Sequence, residues 1–337
     1  MEPILPVGPT AAAASSALLA FLEPQVNRPD FILRWLTERG VPARNLELAG
    51  KRHIIVRFGA DSYDPNFRTK ILVAHHDRTA GSPGANDNGA ACFQLMLLAE
   101  RLAGGGGAAQ SGARWGGILR KAHNTVILFT DGEEAAGTGG IRAQGSFAVG
   151  SGLKTLGFDD ADVYVFDACG RGDVLVLSST GALQGNKEGK GGFPTGAAAR
   201  QYAALRDRAR DIARESAPGT WITLLTPYSD NAGFLASGIV SQVVTVLPRG
   251  EADALLFALA GKGEGIAGAR DMAMLERLVV ANSRDAGEAG SARLLRYIPE
   301  TWRLMHGPND NPSTLTGEAF TLMKGFLDCL AASLDPL

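Results

Sequence analysis

The sequence predicts an α/β fold, in which a mostly parallel mixed sheet is sandwiched between helices. Short apolar runs of strand length alternate along the chain with longer segments of helical periodicity. This alternation is typical of strand–helix units, whose parallel sheets are covered on both faces. The hydrophobic content of 45% is enough for a large core, and no Pro/Gly/Ser linker divides the 337 residues. We therefore predict one domain over residues 1–337.

The sequence of residues 1–66 predicts a region with a helix and a hairpin. This region precedes the part of the chain in which strands and helices alternate. Residues 29–39 (PDFILRWLTER) have amphipathic spacing and end at a glycine, as expected of a helix. Residues 45–49 and 53–58 are rich in strand-forming side chains on either side of Gly50, which predicts a β-hairpin.

The rest of the chain predicts the layered core and two insertions. The predicted strands are residues 70–74, 125–130, 162–166, 174–177 and 239–247, and the predicted helices are residues 89–102, 140–156, 197–215, 251–260, 273–281 and 312–334. Residues 104–117 are a glycine-rich insertion, and residues 249–300 are a second insertion that could form a lid or an interface. Residues 263–268 match the GxGxxG pattern without following a strand, so they predict a loop rather than a nucleotide site.

The charge and cysteine content argue against several kinds of binding partner and against two kinds of cysteine-based structure. The formal net charge is -2 and the basic residues are dispersed, which argues against nucleic acid and anionic membranes as partners. Three widely spaced cysteines exclude a disulfide framework and a CxxC zinc ribbon. The chain starts without a basic segment before an apolar one, and no apolar run reaches about 18 residues. We expect a cytoplasmic protein, or a secreted one if a signal peptide has been removed, with no membrane partner, and the sequence leaves its oligomeric state open.

Acidic and histidine residues follow several predicted strands directly. These groups are His75 to Asp77, the run at 86–88 that opens the next helix, the run at 131–134, and Asp167. His306 lies apart, in a turn-rich stretch near the C-terminus. Because α/β sheets bind ligands at the carboxyl ends of their strands, we expect these side chains to meet there.

These residue types indicate a metal site. Imidazole nitrogens and carboxylate oxygens are the ligands of catalytic zinc, and clustered carboxylates require compensating positive charge. The adjacent Glu133 and Glu134 point in different directions, so one can bind metal while the other serves as a general base. No HExxH run is present, which excludes the single-zinc helical site. Each motif alone also fits a turn or a helix cap, but their joint order favours the metal site.

The motifs in this order resemble those of the M28 metallopeptidases, a family of co-catalytic zinc aminopeptidases and relatives. The similarity rests on AHHD at 74–77, GANDNG at 84–89, DGEE at 131–134 and Asp167, and it extends from about Lys70 to the C-terminus. The resemblance implies a zinc aminopeptidase-like fold and two Zn²⁺ ions per chain.

The resemblance also implies a role for each matching residue. Asp77 would orient His75, and Glu133 would be the general base. The metal ligands would be His75 and Asp167 on the first zinc, Glu134 and His306 on the second, and Asp87 bridging both. His76 adjoins His75, but His75 occupies the HxD position.

Two positions depart from the family pattern. Asn231 stands where the family often has the histidine of a Ser-Asp-His run, and Met305 stands where aminopeptidases can have a tyrosine before the last ligand. Neither position is one of the five ligands. The departures therefore concern substrate contacts and oxyanion stabilisation rather than metal binding.

The predicted function is a metal-dependent aminopeptidase that acts on peptides with a free N-terminus. A glutaminyl-cyclase-like single-zinc acyltransferase is one alternative, and a carboxypeptidase or other amidohydrolase is another. A non-catalytic binding protein on the same fold is an alternative of a different class. The absence of GxSxG argues against a serine hydrolase.

Overall fold

The computed structural model describes residues 9–104, 122–134, 140–158, 160–181, 196–282 and 292–337. The predicted glycine-rich insertion lies outside the described residues from residue 105 onward. Within the described residues, no helix is long and apolar enough to cross a membrane.

Within the described residues, an eight-stranded mixed sheet forms the centre of the fold. Its strands are β1 (Ala43–Leu48), β2 (Lys51–Arg57), β3 (Lys70–His75), β4 (Thr125–Thr130), β5 (Asp162–Phe166), β6 (Val174–Ser178), β7 (Trp221–Leu224) and β8 (Ser241–Leu247). They lie in the order β1-β2-β4-β3-β5-β8-β6-β7. The pairs β4–β3, β3–β5, β5–β8 and β6–β7 are parallel, and β1–β2, β2–β4 and β8–β6 are antiparallel. The predicted mostly parallel mixed sheet is confirmed.

Helices cover both faces of this sheet. They are α1 (Pro9–Leu22), α2 (Arg28–Glu38), α3 (Ala90–Ala103), α4 (Gly145–Thr155), α5 (Gly196–Ser216), α6 (Asn231–Ser237), α7 (Arg249–Leu259), α8 (Ala269–Val280), α9 (Glu300–Leu304) and α10 (Gly317–Ala332). Helices α1, α2, α3, α5 and α10 share one apolar cluster with one sheet face. On the other face, α4 and α6 pack in a second cluster, and α7, α8 and α9 pack in a third.

The central strands are buried along their whole length, as expected of strands covered on both sides. Even Lys70 at the start of β3 is only 2% exposed. Its Nζ donates to the carbonyls of Leu330 (2.8 Å), Ala331 (3.1 Å) and Ser333 at the end of α10. A cation is favourable at the carbonyl end of a helix, so Lys70 anchors α10 to the sheet.

The predicted hairpin is present and is part of the main sheet. Strands β1 and β2 pair antiparallel around Ala49 and Gly50, whose φ angles of 53° and 72° are those of a tight hairpin turn. Strand β2 then pairs with β4. Helix α2 begins where Asn27 caps it by accepting from the Asp30 amide, close to the predicted start.

Several boundaries differ from the sequence predictions. The predicted helix at 140–156 is a 3-10 turn (Gly140–Ala143) followed by α4, and the one at 312–334 is a 3-10 turn (Pro312–Thr314) followed by α10. Strand β8 begins two residues later than predicted, and α8 begins four residues earlier. Helices α1, α6 and α9 and strand β7 were not predicted. The last three have only four to seven residues, too few for periodicity to mark them.

Candidate metal centre

The candidate site lies at the carboxyl ends of three neighbouring strands. In the sheet order β4-β3-β5, His75 is the last residue of β3, Asp167 follows β5, and Glu133 and Glu134 lie just beyond β4. Because these three strands are parallel, their carboxyl ends meet at one edge of the sheet. The fold thus brings together residues that are far apart in the chain.

A tight loop at 84–89 presents Asp87 to the same edge. Gly84 has a φ of 60°, and a Cβ there would lie 2.7 Å from the Asp87 carbonyl oxygen, so the turn requires glycine. Asn86 Oδ1 accepts from the Gly170 amide at 2.7 Å, and Asn88 Nδ2 donates to the Phe166 carbonyl at 2.8 Å. The Asp87–Asn88 peptide bond is cis. The two asparagines therefore tie the loop to the end of β5 on both sides of Asp87.

His75, Asp87 and Asp167 form the first donor set. His75 Nε2 lies 3.3 Å from Asp87 Oδ1 and 3.7 Å from Asp167 Oδ1. All three residues are buried, and one ligand atom from each lies within 4.8 Å of the others. This spacing suits a cation held between them.

Asp87, Glu134 and His306 form the second donor set. His306 Nε2 lies 3.1 Å from Asp87 Oδ2 and 3.4 Å from Glu134 Oε2. The His306 side chain is 40% exposed, so this set faces solvent while the first is buried. Asp87 belongs to both sets, with one carboxylate oxygen in each.

Several donor atoms in the two sets are buried without a hydrogen-bond partner. They include His75 Nε2, Asp87 Oδ2, Glu134 Oε1 and Asp167 Oδ1. Burying polar atoms without a partner is costly, and a divalent cation among these nitrogens and oxygens would satisfy them. The residues present therefore fit a zinc-type site.

The pKa values in the cluster reflect a shortage of positive charge. Burial alone lowers the pKa of His75, but Asp167, Asp77 and Asp87 raise it well above its ordinary value. Burial, together with the neighbouring Asp87 charge, raises the pKa of Glu134 to about 7. Metal cations at this position would favour the ionised carboxylates.

Asp77 connects the His75 ring to the loop after β4. Its Oδ1 lies 3.5 Å from His75 Nδ1, and its carboxylate accepts from the amides of Glu133 (3.3 Å) and Glu134 (2.9 Å). Burial raises the pKa of Asp77, but the contact with His75 and the amide bond outweigh it and lower that pKa to about 2. An ionised Asp77 can therefore orient the imidazole, which is the arrangement expected of an orienting carboxylate.

The two glutamates after β4 have different environments. Glu134 Oε2 accepts from Thr79 Oγ1 at 2.6 Å and faces His306. Glu133 Oε1 accepts from Gln144 Nε2 at 3.3 Å, and burial raises the pKa of Glu133 well above its ordinary range. Glu133 also forms a group with His75 and Glu134 that could hold an ion. Glu133 belongs to neither of the two donor sets that share Asp87, so its carboxylate is a candidate for proton transfer.

The positions that depart from the family pattern are buried. Asn231 Oδ1 accepts from the Ser229 amide at 2.8 Å, and Asp230 Oδ2 accepts from Thr130 Oγ1 at 2.5 Å. Met305 is 5% exposed and packs in the third apolar cluster. His76 Nε2 lies 2.8 Å from the Arg52 carbonyl oxygen, away from both donor sets, so His75 is the histidine that the fold places in the cluster.

Two supporting residues were not assigned a role from the sequence. Asp310 is 1% exposed, and its carboxylate accepts from the amides of Asn86 (2.7 Å) and Asp87 (3.0 Å). Arg28 at the start of α2 donates to the carbonyl of Gly84, the first residue of the 84–89 loop, and to the carbonyl of Pro83 just before it. Asp310 is an acidic residue shortly after the candidate ligand His306, and this position was a visible signal in the sequence. Nothing local in the sequence marks Arg28.

A mixed α/β sheet with two candidate histidine–carboxylate donor sets at the carboxyl ends of its strands is compatible with a metal-dependent hydrolase. Residues 54–215 match the model of Peptidase family M28. This match confirms the predicted resemblance to the M28 metallopeptidases and the prediction of a zinc metallopeptidase. Among curated proteins, none matches the sequence.

Solved structures of the same fold include two aminopeptidases and one cyclase. The LapA aminopeptidase of Legionella pneumophila superposes with a TM-score of 0.55 at 13% identity, covering 94% of this chain and 70% of that one. A leucine aminopeptidase precursor from Bacteroides thetaiotaomicron superposes with a TM-score of 0.54 at 16% sequence identity, covering 95% of this chain and 97% of that one. The glutaminyl cyclase of Porphyromonas gingivalis superposes with a TM-score of 0.51 at 16% sequence identity, covering 94% of this chain and 97% of that one. At these identities the similarity establishes the fold, and the predicted fold class is confirmed.

Proposed function

We propose that the protein is an aminopeptidase that uses two zinc ions to remove N-terminal residues from peptides. The observation that carries this proposal is the position of Asp87, whose two carboxylate oxygens face different donor sets. A carboxylate shared between a His/Asp set and a Glu/His set would suit a site that holds two metal ions close together. His75 and Asp167 would hold one ion, and Glu134 and His306 the other.

The chain's own residues would supply positioning and proton transfer. Zinc ions at this site would activate a water molecule and polarise the scissile carbonyl. Glu133 takes the proton of the attacking water at its carboxylate and delivers it to the leaving amine. Gln144 steadies that carboxylate, and Asp77 keeps the His75 ring in place through Nδ1.

The charge of the site favours substrates with a free amino terminus. Five carboxylate residues, Asp77, Asp87, Glu133, Glu134 and Asp167, surround the two histidines. Two bound Zn²⁺ ions would offset four of these five negative charges, and the remaining negative charge would still attract an α-ammonium group. An N-acetylated peptide lacks that group, so we expect it to be a poor substrate.

The test is digestion of a mixed pool of free and N-acetylated peptides, followed by mass spectrometry, with and without a chelator. We expect chelator-sensitive loss of N-terminal residues from the free peptides only, and two zinc ions per chain by elemental analysis. Release of ammonia from N-terminal glutamine instead would indicate a cyclase, and cleavage from the C-terminus would indicate a carboxypeptidase. No change in any peptide would refute the proposal.

Glu133→Gln separates catalysis from metal binding. The substitution keeps the side-chain shape but removes the proton acceptor, so we expect kcat to fall by a factor of about 10² to 10⁴ with zinc content unchanged. The matched control is Glu251→Gln, a glutamate of α7 that contacts Arg171 and is not part of either donor set. Near wild-type turnover in E133Q would refute the assignment of Glu133 as the base.

A further inference from the structure

Strand β2 holds the chain segment that follows β4. The backbone ladder between the two strands has Ile54 and Phe129 as its last pair at this end. Beyond that pair, side chains take over. The Asp131 amide donates to His53 Nδ1 at 3.2 Å, and Asp131 Oδ2 accepts from the Arg52 amide at 3.0 Å. Two side-chain hydrogen bonds therefore fix Asp131, the first residue after β4.

Asp131 begins the segment that carries the proposed general base. We call residues 131–134 the base loop. Gly132 has a φ of 78°, and a Cβ there would collide with the Lys51 side chain, so the chain turns sharply against β2 at this point. Glu133 follows directly after the turn. The position of Asp131 therefore governs where the Glu133 carboxylate lies.

The His53 ring is enclosed by packing. It is 0% exposed, and Gly145 at the start of α4 lies against it. A Cβ at Gly145 would collide with both the His53 ring and the Asp131 carbonyl oxygen, so these groups fit together without spare room. Packing against α4 therefore holds the ring where its Nδ1 meets the Asp131 amide.

The contact requires a neutral His53. A ring nitrogen that accepts a hydrogen bond from an amide carries no proton, which assigns the single ring proton to Nε2. Burial lowers the pKa of His53 to about 4, so the ring is neutral near pH 7. His53 is therefore a buried hydrogen-bond acceptor directed at the backbone of the base loop.

His123 makes the same kind of contact at the other end of β4. Its Nδ1 accepts from the Thr125 amide at 3.2 Å, and burial lowers its pKa to about 4 as well. Thr125 is the first residue of β4, so this contact lies at the end of the strand opposite to the donor sets. The two histidines hold opposite ends of one strand, which makes His123 a matched control.

We infer that His53 is a positioning residue for the proposed general base, because its ring holds the base loop in the path that places Glu133 beside the donor sets. This inference rests on the proposed function. His53 is not a member of either donor set, so it acts through the loop backbone. Glu134 has its own support from Thr79 and Asp77, so zinc binding should depend less on His53 than catalysis does.

The test compares two variants of similar side-chain size, His53→Leu and His53→Asn. Leucine leaves the buried Asp131 amide without an acceptor, whereas asparagine can offer an oxygen near the position of Nδ1. In H53L we expect kcat for a free peptide to fall about 10- to 100-fold, the cost of misplacing a catalytic group by about 1 Å. We expect KM and zinc content to stay close to wild type, and H53N to recover most of the activity.

Two further measurements distinguish positioning from a general loss of stability. In the E133Q background, H53L should lower kcat no further, because the group that His53 positions is already absent. Hydrogen exchange at the Asp131 amide gives a readout without turnover, and it should be faster in H53L and slow again in H53N. His123→Leu should change neither kcat nor exchange at Asp131.

Asp131→Ala is the second route if H53L does not fold, because it removes the acceptor of the Arg52 amide and leaves the His53 ring in place. It is expected to lower kcat with zinc content unchanged.

Three outcomes would overturn the positioning role while leaving the aminopeptidase proposal intact. They are wild-type kcat in folded H53L, a loss of kcat in H123L as large as that in H53L, and a full further loss when H53L is added to E133Q. A wild type that removes no N-terminal residue from any free peptide would refute the proposed function, and this inference with it.

Discussion

Replacing Arg28 with methionine is expected to weaken metal binding, although Arg28 touches neither donor set. Arg28 is 3% exposed, with its guanidinium over the Phe21 ring at 5.3 Å. Its Nη2 donates to the carbonyls of Gly84 (2.6 Å) and Pro83 (2.9 Å), and its Nη1 lies 3.4 Å from the His76 carbonyl oxygen. These carbonyls belong to the two chain segments that present Asp87 and His75. The arginine therefore braces both segments from behind.

The magnitude follows from the two short hydrogen bonds. Each hydrogen bond from a charged donor contributes about 1.5–3 kcal/mol, and removing the buried charge recovers part of its desolvation cost. We expect a net loss of about 2–4 kcal/mol in the free energy of unfolding. With an unfolding entropy of about 2.1 cal/mol/K per residue over 337 residues, the melting temperature should fall by roughly 3–6 °C.

The same change should lower the fraction of molecules in which the loop at 84–89 is correctly placed. Apparent affinity falls in proportion to the binding-competent fraction. Loss of a residue that supports metal ligands typically weakens metal binding by about 10- to 100-fold. We therefore expect the zinc dissociation constants of Arg28→Met to rise by that factor.

The assay is zinc titration by calorimetry, with thermal unfolding measured on the same samples. Arg34→Met is the matched control, because Arg34 lies on the same helix and is exposed, with its guanidinium over the Phe31 ring at 5.6 Å. Arg28→Lys keeps the charge but not the fork that spans two carbonyls, so an intermediate effect is expected. A lower melting temperature with zinc affinity within twofold of wild type would refute the reasoning, because Arg28 would then act on stability alone.

Three further predictions test other parts of the site. Asp310→Asn offers an amide where the carboxylate accepts two backbone amides, so zinc affinity should fall about tenfold or more in the same titration. If two zinc ions bind as proposed, Asp87→Asn should reduce the zinc content to fewer than one per chain by elemental analysis, and retention of both ions would exclude the bridging role. Burial lowers the pKa of His53 to about 4, below its ordinary 6.5, so the folded protein resists a proton that the unfolded chain takes up. Stability should therefore fall as pH drops from 6.5 to 4, and His53→Gln should lose less stability than the wild type over that range in urea unfolding.

The sequence predicted the parts of the site that local patterns encode. Buried strands appear as short apolar runs, and polar residues directly after them reveal the carboxyl edge of the sheet, which is why His75, Asp167 and the glutamates could be located. The choice of His75 over His76 agrees with the side on which each ring lies. The proposed roles of these residues remain predictions, because they concern bound ions and substrate.

The hydrogen bonds by which distant segments hold the loop before and around Asp87 could not be predicted from the sequence. Arg28 reaches the loop before Asp87 across 56 positions of sequence, and Asp310 reaches Asn86 across 224. No periodicity or spacing encodes such contacts, since they depend on how α2 and the C-terminal loop dock. The short elements β7, α6 and α9 were missed for another reason, because each owes its stability to packing rather than to a recognisable local pattern.

The two donor sets span different lengths of the chain. The first set is complete within residues 75–167, whereas the second requires His306, which approaches Asp87 from more than two hundred residues away. Contacts of long sequence separation form late, because the intervening chain must first be ordered. The first ion could therefore be captured by a partly folded chain, while the second would bind only after the C-terminal segment docks. Binding of an ion to the second donor set would therefore require a folded C-terminal segment. An activity that depends on both ions would appear only after that segment has docked.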